Sequence, residues 1–176
     1  MIKLMKAAMV SVIAMVVGLS VGCNITPDTM KTIAQNAGMG SALTWIAYDN
    51  PSVEQKTAVK EVLDVIYVNV TNVEEGATFT SSLSPVVEKY VSESTQIKPE
   101  SKPLVLAGAL AALNGIDLLF VSYPEWKTNE KTVLSIVGSF VTGAKQGLGL
   151  SENDPLIINA QEMNFKRENI KAMKFN

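Results

Sequence analysis

Residues 104–121 read LVLAGALAALNGIDLLFV, the most apolar stretch of the chain beyond residue 23. A helix that is apolar on every side is typical of the buried centre of a helical protein. The alternative is a membrane-spanning helix, which needs about 20 apolar residues. Asn114 and Asp117 lie near the end of this stretch, where polar groups would be costly in lipid. The stretch therefore predicts the central helix of an all-α bundle.

Small residues recur along this helix at intervals of four, at Ala107, Ala111 and Gly115, and again at Gly108 and Ala112. Residues four apart lie on one face of a helix, so these small side chains predict close approach of neighbouring helices. Asp117 is expected at the rim of the bundle, or paired with a lysine or a helix end. A catalytic carboxylate is the alternative interpretation of Asp117.

The chain before this stretch predicts two helices with clear start signals. Thr26, Pro27 and Asp28 provide a cap, a first-turn proline and an acid at the positive helix end, and residues 49–51 end that helix. Ser52 and Gln55 have capping-box spacing and predict the next helix start. That helix carries an apolar stripe at intervals of three and four, formed by Val59, Val62, Leu63, Ile66, Val70 and Val73. The β-branched residues within 65–73 suggest a strand, but the unbroken stripe favours a helix ending at residues 74–76.

Further helices flank the central stretch. Ser84 and Pro85 predict the start of a short helix, with residues 77–83 as a possible extra turn, and residues 98–103 form a polar connector. After Pro124, a cap at Thr128 or Asn129 predicts a helix that Gly147 and Gly149 terminate. It carries Val133, Leu134, Ile136, Val137, Phe140, Val141 and Ala144. Residues 159–176 have the pattern of a loose helix with Met163, Ile170 and Met173 on one side and Lys166, Arg167, Lys171 and Lys174 elsewhere. The predicted fold is an all-α bundle of five or six helices.

Composition restricts the chemistry of this chain. It contains no histidine and one cysteine, Cys23, which excludes histidine bases, histidine metal ligands and internal disulfides. Without Lys3 and Lys6 of the leader, 13 basic residues face 17 acidic ones, so the net charge is −4. A mildly acidic domain argues against a nucleic-acid partner. We predict no catalytic residue, no cofactor and no metal site.

Three groups of side chains have spacings that suggest functional sites. Residues 138–145 superficially match a phosphate-binding loop, but Ala144 separates Gly143 from Lys145 and the stretch falls inside a helix, so that interpretation is rejected. Paired carboxylates occur at Glu61 and Asp64 and at Glu74 and Glu75, where a solvated helix face is favoured over acid–base chemistry. Trp45 with Tyr48, and Tyr123 with Trp126, lie at helix ends. They are expected to join helix corners to the core, and a ligand groove is the alternative.

The N-terminal segment predicts where the protein resides. Residues 1–6 carry two lysines, residues 7–21 are largely apolar, and Gly22 precedes Cys23, which is the pattern of a secretory signal. The stretch Leu19-Ser20-Val21-Gly22-Cys23 resembles the lipobox of bacterial lipoproteins, although Ser20 stands where that family usually has Leu, Val or Ile. The resemblance implies cleavage before Cys23 and lipidation of its thiol. An ordinary secretory signal with an incidental cysteine, or an uncleaved membrane helix, are the alternatives.

These observations predict a lipoprotein signal peptide over residues 1–22, a helical domain over 23–150 and a polar, weakly basic tail over 151–176. The expected function is that of a non-enzymatic, lipid-anchored envelope lipoprotein that serves as an interaction or accessory module. Its expected partners are the membrane, through Cys23, and another envelope protein. By analogy, Asn24 after the cysteine favours the outer membrane, facing the periplasm, in a host with two membranes.

Other functions stay open at this stage. A carrier of a small apolar ligand would enclose a cavity between the helices around 59–73 and 104–144. An enzyme would need two buried carboxylates or lysines close together. A phage-derived exclusion or lysis accessory factor is a variant of the interaction module. The basic tail is expected to be solvated, with contact to anionic lipid or a partner as the alternative.

Overall fold

A computed structural model of the protein describes residues 25–74, 76–127 and 129–149, and over these residues the fold is all-α, with no strand. The predicted helical bundle is therefore confirmed. Its five α-helices are α1 (Pro27–Asp49), α2 (Val53–Asn69), α3 (Phe79–Glu93), α4 (Lys102–Ser122) and α5 (Glu130–Leu148). Short 3-10 helices follow or precede them at Val70–Asn72, Pro99–Ser101 and Pro124–Lys127. The predicted signal peptide, Cys23 and the tail 151–176 lie outside the described residues.

The first two helices begin where the capping signals predicted. The Thr26 hydroxyl accepts a hydrogen bond from the Thr29 amide at 3.2 Å. The Ser52 hydroxyl accepts from the Gln55 amide at 3.3 Å, while the Gln55 side chain accepts from the Ser52 amide at 2.8 Å. This reciprocal pair satisfies two amides that a helix start otherwise leaves open. The segment rich in β-branched residues is helical to Asn69 and continues as a 3-10 turn, so the helix interpretation was right.

The start of α3 differs from the sequence prediction. The helix begins at Phe79 rather than at Ser84 and Pro85, so Pro85 lies inside it and residues 79–83 belong to the same helix. Thr78 accepts from the Ser81 amide, and Ser81 accepts from the Thr78 amide, which forms a capping box without Glu or Gln. Proline lacks an amide hydrogen, so Pro85 cannot bond to the carbonyl four residues earlier. Helix α3 continues through Pro85 although this hydrogen bond is lost. The cap at Thr78 therefore decides the start, and the proline does not.

Helix α4 is the centre of the bundle, as its composition predicted. It packs against α1, α2 and α3. Its buried residues are Val105, Gly108, Ala109, Ala111, Ala112, Leu113, Gly115, Ile116, Leu119 and Phe120. Within the described residues, the helical stretch Pro99–Ser122 is long and apolar enough to cross a membrane, and 56% of its most apolar window is buried inside the domain.

Helices α1 and α5 form the most extensive pairing of the domain, through glycines on both sides. A Cβ atom added at Gly38 would overlap the carbonyl of Phe140, and one added at Gly143 would overlap the carbonyl of Gln35. At Gly147 an added Cβ would lie 3.0 Å from the Ala42 methyl group. The two backbones therefore touch where these glycines lie.

Contacts between the helices show that their directions alternate. Asp117, near the end of α4, bonds to the start of α3, and Trp45, near the end of α1, lies against Gly108 in the first half of α4. Tyr67 near the end of α2 lies against Gly138 of α5, so these helices are antiparallel. We call the end where α1, α3 and α5 begin the lower end and the end where α2 and α4 begin the upper end. Pro27 therefore lies at the lower end and Gly149 at the upper end.

Candidate functional site

The expected lipidation site, Cys23, precedes the described residues, but the structure places the point at which the chain enters the domain. Residues 24–26 separate Cys23 from Pro27, the first residue of α1. Ile25 is half-buried and packs against the core, and Thr26 caps the helix. Any group attached to Cys23 is therefore connected to the lower end of the bundle through three residues.

Asp117 has a structural role in the described fold. One carboxylate oxygen accepts from the Phe79 amide at 2.6 Å and the other accepts from the Thr80 amide at 3.0 Å. These amides belong to the first turn of α3, where helical amides lack partners and where a negative charge is favoured. Of the three options the sequence left open, pairing with a helix end is the one observed. Both oxygens are engaged in capping α3.

The described members of the two acidic pairs, Glu61, Asp64 and Glu74, have different surroundings. Asp64 makes an ion pair with Lys145 of α5 on the surface, Glu61 is half-buried, and Glu74 is exposed in the loop after α2. Glu75 lies outside the described residues. Within residues 25–74, 76–127 and 129–149, no three carboxylate or thiol side chains approach each other closely enough to hold a metal ion.

Residues 138–145 lie wholly within α5, where Gly143 packs against the backbone of α1. A phosphate-binding loop must precede a helix with its amides free, which this geometry does not allow. Lys145 bonds to Asp64 instead. The prediction that residues 138–145 lie inside a helix is confirmed.

The aromatic residues at the helix ends belong to the core. The rings of Tyr123 and Trp126 stack with centroids 4.0 Å apart and an angle of 6°, and both residues are buried. Trp45 is 2% exposed and its ring edge lies where a side chain on Gly108 would point. The Trp45 indole N–H has no hydrogen-bond partner in the described structure. Trp45, Tyr123 and Trp126 therefore join helix corners to the core, as expected. Tyr48 is half-buried.

The region predicted to hold a ligand in the carrier hypothesis is closely packed. The cavity bounded by Trp45, Val59, Leu63, Gly108 and Ala144 measures about 10 Å³. A single water needs about that volume, and an organic ligand needs roughly 300 Å³ or more. The small residues of α4 fill this region by drawing the helices together, so the carrier hypothesis has no support from this cavity.

Surface features are open grooves rather than closed sites. A groove of about 440 Å³ follows α2 and α5, with Tyr67, Leu134 and Val141 beside the Asp64–Lys145 pair. Another, of about 470 Å³, lies at the lower end, between Val73, Phe79, Lys127 and Val133. Large apolar residues that are exposed include Val53, Tyr67, Val68, Val86 and Val121, which lie on three different helices.

Two charged residues, Lys56 and Asp49, are more buried than the sequence predicted. A lysine is expected on the solvated side of a helix, yet Lys56 is only 6% exposed. The available signal was its spacing, three residues before Val59 and seven before Leu63, which puts it on the buried face of α2. Asp49 ends α1 with one carboxylate oxygen buried and unpaired, and burial raises the pKa of its carboxyl group. Nothing in the sequence around Asp49 distinguishes it from a solvated helix end.

Comparisons with known proteins found no match: no protein-family model, no curated protein and no solved structure resembles this chain.

Proposed function

We propose that this protein is a non-enzymatic lipoprotein of the bacterial cell envelope, attached to a membrane by lipid on Cys23 and acting as an interaction or accessory module. The observation that carries this proposal is the order of features at the N-terminus. A basic start, an apolar run and Gly22 lead to the only cysteine of the chain. Helix α1 begins four residues later, at Pro27.

The attachment works through the hydrophobic effect. Each methylene group buried in the bilayer contributes about 0.8 kcal/mol, so one acyl chain binds marginally and two or more bind stably. A diacylglyceryl group on the Cys23 thiol with an acyl group on its new amino terminus meets this requirement. The sole cysteine of the chain would then carry no free thiol.

The short connection orients the domain. The four steps from Cys23 to Pro27 span at most about 14 Å, so the lower end of the bundle faces the bilayer. Helix α1 has 23 residues and is roughly 34 Å long, so its other end can stand up to that far from the lipid surface when the bundle is upright. The upper end and the sides of the bundle are the surfaces that a partner in the envelope can reach. With Asn24 after the cysteine, the location proposed for a host with two membranes is the outer membrane, on its periplasmic side.

Mass spectrometry of the intact protein extracted from membranes tests the anchor. The expected product begins at residue 23 and carries the mass of diacylglyceryl plus one acyl chain. The Cys23→Ser variant is expected to lose the lipid mass. Ser92→Ala, on the exposed surface of α3, is the matched control and is expected to retain it. An unmodified thiol on a protein found in the aqueous fraction would overturn the proposal.

A further inference from the structure

The outer side of α4, which the rest of the described domain leaves uncovered, is almost entirely apolar. Residues spaced by three and four along this side form what we call the α4 stripe: Pro103, Ala107, Leu110, Asn114, Leu118 and Val121. Pro103 and Val121 are exposed and the other four are half-buried. The outer face of a surface helix is ordinarily polar or charged, so an apolar face of this length indicates a surface that becomes covered.

The side of the domain around the stripe lacks charged residues. Residues 103–116 of α4 contain none, and Asp117 is engaged in capping α3. Helix α1 lies beside α4, because Trp45 approaches Gly108, and residues 32–48 of α1 contain no charged residue either. Depletion of charged residues is the compositional mark of the centre of a protein interface.

The composition of the stripe argues against a bilayer as its cover. Protein surfaces that lie on a membrane combine Lys or Arg with Trp, Phe or Leu. The stripe contains no basic and no aromatic residue. Trp45, on the neighbouring helix, is buried in the core and cannot serve as an interfacial anchor.

A second copy of the domain fits the stripe by its chemistry. When two identical helices run side by side in the same direction about a twofold axis, each residue near the axis faces its own copy. A charged residue would then face a like charge, whereas apolar side chains complement themselves. The stripe therefore has the composition that such a pair requires.

The polar residue of the stripe is also its own complement. The Asn114 carboxamide donates to the Leu110 carbonyl at 2.8 Å, and its oxygen lies 3.5 Å from the Thr80 hydroxyl. A carboxamide has two N–H donors and an oxygen with two lone pairs, so Asn114 retains both donor and acceptor capacity toward a second Asn114. A single asparagine in an apolar contact row fixes the register of parallel helix pairs in coiled coils.

The available area suits a reversible dimer. The stripe runs for about 27 Å from Pro103 to Val121, and α1 and α4 side by side are roughly 18 Å wide. Each copy therefore offers roughly 500 Å², or about 1,000 Å² in the pair, which is near the lower limit for specific interfaces. An interface of this size is expected to have a dissociation constant on the order of micromolar.

We propose that the domain forms a parallel dimer through the α4 stripe, with Asn114 of each copy facing Asn114 of the other. The parallel direction places both lower ends on the same side, as two copies anchored to one bilayer require, and in this respect it rests on the proposed function. The pairing itself depends only on the folded domain.

Sedimentation equilibrium of the mature chain, residues 23–176 with Cys23→Ser, tests the pairing without lipid. The measured mass is expected to rise from monomer to dimer between roughly 1 and 200 µM. Leu118→Lys places like charges opposite each other and is expected to weaken the dimer by about tenfold or more. Val68→Lys, at an exposed position of α2, is the matched control and is expected to leave it unchanged. Ala107→Lys, about three turns from Leu118 on the same stripe, repeats the test if circular dichroism shows Leu118→Lys to be unfolded.

A disulfide tests the direction in the same chain, which has no other cysteine. Under mild oxidation, Leu118→Cys alone is expected to form a covalent dimer, because residue 118 faces its own copy, while Val68→Cys is expected to stay reduced. Preferential cross-linking between Leu110→Cys and Leu118→Cys chains would show an antiparallel pair and overturn the parallel arrangement.

Two other outcomes would overturn the dimer. One is a monomer at every concentration, or equal weakening by Leu118→Lys and Val68→Lys. The other is binding of the Cys23→Ser chain to phosphatidylcholine vesicles that Leu118→Lys abolishes, which would assign the stripe to a bilayer. Neither outcome alters the mass expected for lipidated Cys23, so failure of the dimer is distinguishable from failure of the anchor.

Discussion

One carboxylate sets where α3 begins. Asp117 lies on α4, 38 residues along the chain from Phe79, yet it holds the two amides that open α3. Hydrogen bonds from amides to a charged carboxylate are stronger than those between neutral groups, and the positive end of the helix adds to them. Helix α3 is thereby fastened to the centre of the bundle at its first turn.

Replacing Asp117 by alanine is expected to lower the free energy of unfolding by about 2–3 kcal/mol, because it leaves two amides of α3 without acceptors. Denaturant titration measures this loss, and hydrogen exchange at Phe79 and Thr80 is expected to accelerate. Asp64→Ala, which removes only an exposed ion pair with Lys145, is the control and is expected to cost less than about 1 kcal/mol. Equal losses in the two variants would contradict the capping role.

Ionisation of Asp49 should lower the stability of the domain as the pH rises. Burial raises the pKa of its carboxyl group above the ordinary value of 3.8, and its charge lies at the negative end of α1. A raised pKa means that the folded state binds the proton more readily than the unfolded state, so the charged form destabilises the fold at neutral pH. Asp49→Asn is expected to add about 0.5 kcal/mol at pH 7.

The gain from Asp49→Asn should diminish as pH falls toward 3.8, because the natural side chain then becomes neutral in the folded protein. Thermal unfolding from pH 7 to pH 3.5 follows this difference. Asp28→Asn, at the positive end of the same helix, is expected to have the opposite sign at pH 7. A gain that persists unchanged at pH 3.5 would contradict the explanation.

At the scale of the helices, local signals in the sequence were sufficient where the cap is made by neighbouring residues. Thr26 and Ser52 were recognised as caps, and Asn129 was one of two candidates; each accepts a bond from an amide three residues later. The start of α3 was predicted at Ser84 with an added turn left open over 77–83, and its cap was missed because Thr78 uses Ser81 rather than Glu or Gln and because Asp117 is remote in sequence. A capping contact between residues that only the fold brings together, such as Asp117 and Phe79, cannot be predicted from their spacing in the sequence.

The crossing of α1 and α5 depends on the absence of one methyl group. Gly143→Ala is expected to destabilise the domain by about 3 kcal/mol, because the new methyl group would overlap the Gln35 carbonyl and force the backbones apart. Gly138→Ala in the same helix is the control. Its methyl group would meet only the ring of Tyr67, 3.2 Å away and 38% exposed, which can shift. The better helix propensity of alanine should offset that contact, so comparable losses in denaturant would contradict this account.

At the scale of the whole molecule, the number and order of the helices could be predicted, but their neighbours could not. Helices α1 and α5 are distant in sequence. Their pairing depends on which backbone each glycine faces: Gly38 faces the carbonyl of Phe140, and Gly143 faces the carbonyl of Gln35. Ala107, which continues the same spacing of small residues on α4, is only half-buried. The proposed attachment site was found from its own motif, and Lys56 was not, because burial of a lysine follows from the assembled fold.

The proposed orientation predicts different distances from the bilayer for two residues of equal exposure. Val53 begins α2 at the upper end and Val121 is near the end of α4 at the lower end, and each is 74% exposed. A donor dye is attached to a cysteine introduced at either position. The dye does not react with Cys23 when that thiol is acylated. In vesicles with acceptor dye on the lipid headgroups, energy transfer is expected to be clearly stronger from position 121, since roughly 34 Å of helix separates the two ends. Equal transfer from both positions in protein of confirmed lipidated mass would reject the orientation while leaving the anchor intact.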